Sequence, residues 1–97
     1  MEPFNIKINH SSAEVTLTIL PSDGGYFKIV YYGGILGGVL KEEKQWRLVS
    51  MDEVAGGDLP VYENKHDEER VEVVLDERVA IQIGKEIDQY LDREGLR

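Results

Sequence analysis

The sequence predicts an α+β fold, a five-stranded antiparallel β-meander with one C-terminal α-helix packed on one face. Residues 4–50 alternate apolar and polar positions with a period of two, which is the spacing of half-buried strands. Residues 76–94 instead repeat their apolar positions with the period of a helix. These two patterns use most of the strongly apolar residues. We therefore expect one domain over residues 1–97, with a sheet at about 4–50, an acidic loop at about 51–75 and a helix at about 76–94.

The first three strands are predicted at residues 4–9, 13–20 and 26–32. Pro21 ends the second strand because proline cannot donate a hydrogen bond within a sheet, and the Asp-Gly pair after it suits a tight turn. Alternate residues should face the helix from all three strands: Phe4, Ile6, Ile8, Val15, Leu17, Ile19, Phe27, Ile29 and Tyr31.

The last two strands are predicted at residues 35–41 and 44–50. Gly33-Gly34 has the composition of a two-residue hairpin turn, and Glu42-Glu43 turns the chain into the fifth strand. We do not assign Trp46 to a face of the sheet, because a one-residue shift at that turn would reverse every side chain after it. Short connections between successive strands favour a simple up-and-down order.

Residues 51–75 are predicted to form an acidic surface loop. Two glycines, a proline and an almost wholly polar run interrupt any regular pattern there. A short extended piece is expected at residues 59–62. Residues 71–75 are either a sixth short strand or an apolar lead into the helix.

The helix is expected to start at Asp76, whose carboxylate can accept hydrogen bonds from the first turn, and to stop before Gly95 in the left-handed C′ position. Gly84 lies on the apolar side, which predicts a close approach of helix and sheet where a side chain would not fit. Ile81 falls outside the apolar stripe, and we expect the preceding loop to cover it. Five helix residues should face water: Gln82, Lys85, Asp88, Gln89 and Asp92.

The net charge of −8 comes entirely from the second half of the chain, because acids and bases balance up to Ser50. No clustered basic face can be drawn, which argues against nucleic-acid binding. The chain begins without a basic and apolar leader and contains no apolar run long enough to span a membrane. We therefore expect a cytoplasmic protein without membrane association. The absence of cysteine excludes disulfides and thiolate metal sites.

No catalytic, cofactor-binding or metal-binding residue is predicted. The glycine-rich residues 33–38 match neither phosphate-binding spacing and are followed by a strand, so a hairpin with a bulge is the simpler interpretation. His66 stands in a contiguous run of acids instead of converging ligands, and the serines lack a nucleophile elbow.

The most promising functional feature is the sheet face opposite the helix. In strands three and four this outer face becomes apolar and aromatic if the register holds through the glycines: Tyr26, Val30, Tyr32, Leu36 and Leu40. Exposed apolar patches of this kind usually mark interaction surfaces. Three occupants are open: the acidic linker folding back through Leu59, Val61 and Tyr62, a second copy or another protein, or a small apolar ligand.

The order of Tyr26 to Gly34, then Trp46, then Ile83-Gly84-Lys85-Glu86-Ile87-Asp88 resembles a group of short uncharacterised bacterial proteins. These proteins similarly place a strand meander before an Ile-Gly-x-x-Ile-Asp/Glu helix. The resemblance covers most of the chain loosely, supports the predicted fold and implies no catalytic residue. The acidic stretch at residues 58–70 does not belong to the shared pattern.

These observations lead us to expect a small binding or interaction module that self-associates, or binds another protein, through the outer face of strands three and four. The alternative is a small-ligand-binding protein or enzyme with a cleft between the sheet edge and the loop at residues 51–70. A third hypothesis is an accessory protein whose acidic second half meets a basic partner.

Overall fold

The structure, a computed structural model, describes residues 2–22, 24–54, 60–62 and 73–95. Five strands pair with their neighbours in sequence order to form one antiparallel sheet, which confirms the predicted meander. Within the described residues, two helices follow the sheet. The elements are β1 (Phe4–His10), β2 (Ala13–Pro21), β3 (Tyr26–Tyr31), β4 (Gly34–Glu42), β5 (Gln45–Val49), α1 (Met51–Val54) and α2 (Glu77–Arg93).

The main core lies between α2 and one face of the curled sheet. The helix contacts β1 and β5, the two strands that form the edges of the sheet. The predicted inward stripe is confirmed, since all nine of its residues belong to this core or pack against it. At the β1 edge, the ring of Phe4 stacks on that of Tyr90 with centroids 3.8 Å apart.

Both predicted ends of α2 are confirmed. The Asp76 carboxylate accepts a hydrogen bond from the Val79 amide at 2.9 Å, and this satisfies a donor that the first helical turn leaves free. Gly95 follows the helix with a φ of +67°, the left-handed conformation that glycine adopts without a steric penalty. The helix boundaries were thus readable from two capping residues.

The turn between β3 and β4 lies one residue earlier than predicted. Tyr32 and Gly33 form the two-residue loop, with φ values of +47° and +78°, and Gly34 already belongs to β4. Positive φ at both loop residues is the signature of the type I′ turn, which matches the twist of the flanking strands. Tyr32 is therefore a turn residue and not the last residue of β3.

A β-bulge interrupts the pairing of β3 with β4. Ile29 faces Gly37 while Val30 faces Ile35, so Leu36 is the extra residue. The register therefore does not hold through the glycines. Leu36 packs against the main core on the helix side, and Ile35 takes its place on the outer face.

The predicted loop at residues 51–75 contains structure that the sequence reasoning missed. Residues 51–54 form α1, and Val61 makes a parallel bridge with Ile35 in the part of β4 that β5 does not cover. The Ile35 amide donates to the Pro60 carbonyl, and the Tyr62 amide donates to the Ile35 carbonyl. The expected extended piece is thus present at residues 60–62, whereas Leu59 and the polar run at 63–70 lie outside the described residues.

The segment before α2 is an apolar lead into the helix where it is described. Residues 73–76 form no strand, Val73 is buried in the main core, and Leu75 packs against it. The expectation that the preceding loop covers Ile81 was wrong, because this residue is 46% exposed.

Candidate functional site

The five residues of the predicted outer patch do not form one open surface. Val30 is buried at 8% exposure, Tyr26 and Leu40 are half-buried, and Leu36 packs on the opposite side of the sheet. Tyr32 is 63% exposed at the tip of its hairpin, with its ring against that of Tyr31. The structure therefore leaves Tyr32 as the one strongly exposed member of the predicted set.

The chain itself covers the outer face through α1. Val54 is fully buried against Val30 and Ile35 in a second small core. It fits there because Gly38 has no side chain: a Cβ at that position would lie 2.5 Å from a Val54 methyl group. The Tyr26 hydroxyl donates to the Glu53 carbonyl at 3.2 Å and holds α1 in place. The covering segment thus comes earlier in the linker than residues 59–62.

A polar cluster fixes α2 to the β5 edge of the sheet. The Asp88 carboxylate accepts a hydrogen bond from the Trp46 indole at 3.0 Å, and its other oxygen lies 3.0 Å from Lys41 Nζ. Trp46 therefore faces the helix, and its ring occupies the space that a side chain at Gly84 would need. The expectation that Asp88 faces water was wrong because Trp46 and Lys41 draw its carboxylate to the sheet. This cluster joins β4, β5 and α2, and we assign it a structural role.

The β1 edge of the sheet offers main-chain groups for binding. β1 and β2 are joined by the two-residue loop Ser11-Ser12, so the flanking pair of His10 and Ala13 exchanges hydrogen bonds. In an antiparallel ladder such pairs alternate with pairs that make no mutual hydrogen bonds. The amides and carbonyls of Asn5, Lys7 and Asn9 consequently point away from β2. They face the edge of β1 that no other described strand pairs with, which we call the free edge.

A groove runs along this free edge between β1 and α2. It consists of two cavities of about 400 and 380 Å³ that share Lys7, Glu86 and Gln89 in their walls. We call it the β1 groove: its strand wall is residues 5–9 of β1 with Glu14 and Thr16 of β2, and its helix wall includes Gln82, Glu86, Gln89 and Arg93. Gln82 lines the end near Asn9, and Arg93 lines the end near Asn5, so the strand and the helix run in opposite directions.

The side chains lining the β1 groove are mostly polar. Carboxamides occur on both walls, with Asn5 and Asn9 on the strand and Gln82 and Gln89 on the helix. Lys7 pairs across the strands with Glu14 at 3.7 Å, and the remaining charges on the helix wall include both signs. Such a surface favours hydrogen bonding to a polar chain over the burial of an apolar ligand.

No reaction centre emerges from the described residues. They contain no group of three or more histidine, cysteine, aspartate or glutamate side chains placed to hold a metal ion. Neither described helix has the length and apolar character needed to cross a bilayer. The alternative cleft falls largely on residues 55–59 and 63–70, and His66 is also outside the described residues.

The fold and the groove define a small α+β domain with an accessible sheet edge flanked by a helix. No protein family, curated protein or solved structure matches the chain.

Sequence reasoning placed Gln82 and Gln89 among the helix residues that face water and did not connect them with the first strand. One signal was available, since the first strand of a meander must lie at an edge of the sheet. The second wall could not be found in the same way, because it requires knowing how far α2 reaches across β1. That geometry depends on Phe4 stacking on Tyr90 and on Trp46 contacting Gly84, which the sequence does not reveal.

Proposed function

We propose that this protein is a small interaction module that binds an extended segment of another polypeptide along the free edge of β1. The bound segment adds a strand to the sheet and lies in the β1 groove. Main-chain hydrogen bonds supply affinity in this mode of recognition, and side-chain pockets supply selectivity. The proposal keeps the class of function expected from the sequence and moves the binding site from the outer face to the edge.

The observation that carries the proposal is the coincidence of the free main-chain groups with the groove. Asn5 and Lys7 each present a free amide and a free carbonyl toward the same space, and Asn9 adds its amide, since its carbonyl accepts from Gln82. The two cavities of the β1 groove extend along that space from Asn5 to Asn9. An edge that faced only bulk water would offer hydrogen bonds without a second wall to select a partner.

The polar walls favour a hydrophilic partner segment. Side chains on one face of a bound strand would meet the carboxamides of Gln82 and Gln89, which both donate and accept hydrogen bonds. A second copy of this chain is a less favourable partner, because two molecules that each carry a net charge of −8 repel each other. We therefore assign the groove to a segment of a different protein, rich in residues that hydrogen-bond.

The outer face is a weaker candidate site. Val54 covers Val30 and Ile35, so a partner there would have to displace α1 or bind around Tyr32. Binding along β1 requires no such displacement of a buried apolar side chain.

The test compares two substitutions at Lys7 in binding to random ten-residue peptides displayed on phage. Lys7→Pro removes an amide donor that points away from β2, so it breaks no hydrogen bond between β1 and β2. Edge strands tolerate proline at such positions. Lys7→Ala removes the same side chain and keeps the donor. We expect peptides selected on the unaltered protein to bind Lys7→Ala normally and to bind Lys7→Pro about tenfold more weakly, as expected for one lost main-chain hydrogen bond.

Circular dichroism should show that both Lys7 variants are folded. The proposal is wrong if selected peptides bind the two variants equally, or if no peptide can be selected. It is also wrong in its choice of partner if light scattering shows a dimer that Lys7→Pro dissociates, because the edge would then bind a second copy.

A further inference from the structure

The two ends of the β1 groove differ in a way that would fix the position of a bound segment. At one end, the Gln82 side-chain amide donates a hydrogen bond of 2.9 Å to the Asn9 carbonyl. This carbonyl is one of the outward-pointing acceptors that an added strand would use. Among the hydrogen bonds of the described residues, the carbonyls of Asn5 and Lys7 accept none from a side chain.

We infer that Gln82 determines the register of the bound segment by closing the Asn9 end of the β1 edge. This inference rests on the proposed function. The Gln82 side chain stands where the amide of an incoming residue would donate, so the segment pairs with Asn5 and Lys7 and does not reach Asn9. Among the described residues nothing closes the Asn5 end, because the preceding residues 2–3 are exposed and belong to no strand.

The direction of the bound chain follows from a general preference in strand pairing. Antiparallel pairs are slightly more stable than parallel ones, so an added strand should run opposite to β1. β1 runs from the open end at Asn5 to the closed end at Asn9. The bound segment therefore begins at the closed end, with its first paired residue beside Gln82, and leaves the groove past Asn5.

Gln82 is suited to this role because its backbone is fixed while its side chain is not essential to the core. It lies one residue before Ile83, which is fully buried and holds this turn of α2 against the sheet. The Gln82 side chain is half-buried at the rim and reaches the strand with its terminal amide. Its removal should free the Asn9 carbonyl without disturbing the core.

The test uses a synthetic peptide obtained from the phage selection and trimmed to the shortest form that retains binding. Two derivatives carry Ala-Ala at the N-terminus or at the C-terminus. The dissociation constants are measured on the unaltered protein, on Gln82→Ala and on Gln89→Ala. Gln89 lines the same wall and, among the described residues, makes no hydrogen bond to the edge, so its removal is the matched control.

We expect the N-terminal Ala-Ala extension to change affinity less than twofold on the unaltered protein and on Gln89→Ala. On Gln82→Ala the same extension should strengthen binding about tenfold, because it can reach the freed Asn9 carbonyl. The core peptide should bind Gln82→Ala and the unaltered protein equally.

The inference is overturned if the N-terminal extension has the same effect on all three proteins, or if only the C-terminal extension responds to Gln82→Ala. Either result would leave the strand-addition proposal standing, provided that the core peptide still distinguishes Lys7→Pro from Lys7→Ala. Loss of that distinction would instead refute the proposed function itself.

Discussion

At the scale of single residues, the contact between Gly84 and Trp46 determines how closely the helix approaches the sheet. A Cβ at position 84 would overlap the indole ring of Trp46, so glycine is required by space although it is a poor helix former. Glycine inside the apolar stripe was enough to predict a close approach. The identity of the facing side chain was not predictable, because it depends on the register of β5.

This contact leads to a prediction against helix propensity. In an exposed helix, replacement of glycine by alanine would stabilise by about 1 kcal/mol. At Gly84 the added methyl group must displace the Trp46 ring, and overpacking of this kind typically costs about 1–3 kcal/mol. We expect Gly84→Ala to lower the free energy of unfolding, measured by urea denaturation.

The control for this prediction is the same substitution in a Trp46→Leu background. Leucine removes the ring that a new Cβ would strike. In this background Gly84→Ala should therefore lower the free energy of unfolding by less, or even raise it. An equal loss in both backgrounds would show that the clash with Trp46 is not the cause.

At the scale of elements, the hairpins show what the sequence could and could not specify. The alternation of apolar residues located all five strands to within one residue of their observed ends. The turn between β3 and β4 was misplaced because Gly33-Gly34 looks like a turn, whereas the observed loop uses Tyr32 at positive φ. The bulge at Leu36 was likewise invisible, since its position depends on the pairing partner and not on local composition.

The turn between β4 and β5 contains a correctable strain. Glu43 and Lys44 occupy its two positions with φ values of +51° and +69°, a region that disfavours residues with a Cβ. Lys44→Gly removes this penalty at the position where type I′ turns favour glycine, and should raise the free energy of unfolding by about 0.5–1 kcal/mol. Thermal denaturation followed by circular dichroism would measure the change.

The matched control is Gly33→Ala in the preceding hairpin. A Cβ at Gly33 would meet no atom of the described residues within 4 Å, so the obstacle to a side chain there is its φ of +78°. This variant should be destabilised by a similar amount, about 0.5–1 kcal/mol. If Lys44→Gly lowers stability as Gly33→Ala does, strain in the turn is not what limits this hairpin.

At the scale of the whole molecule, α2 links the two edges of the curled sheet. Phe4 stacks on Tyr90 at the β1 edge, while Trp46 contacts Gly84 and Asp88 at the β5 edge. The helix periodicity predicted that one face of α2 would be buried. It could not predict that the helix would flank β1 closely enough to form a groove, because that distance is set jointly by contacts at both edges.

This arrangement predicts cooperative unfolding. The sheet cannot keep its core covered if α2 leaves, since Ile83 and Ile87 of the helix are fully buried among residues of the strands.

Trp46 is the single tryptophan and lies at the contact between helix and sheet, so its fluorescence reports docking of α2. Far-UV circular dichroism reports the helix and the strands themselves. We therefore expect the two signals to give the same urea midpoint and slope, as a two-state transition requires. A fluorescence change that precedes the circular dichroism change would mean that α2 undocks from a sheet that survives alone, and the helix wall of the β1 groove would then be a separable part of the fold.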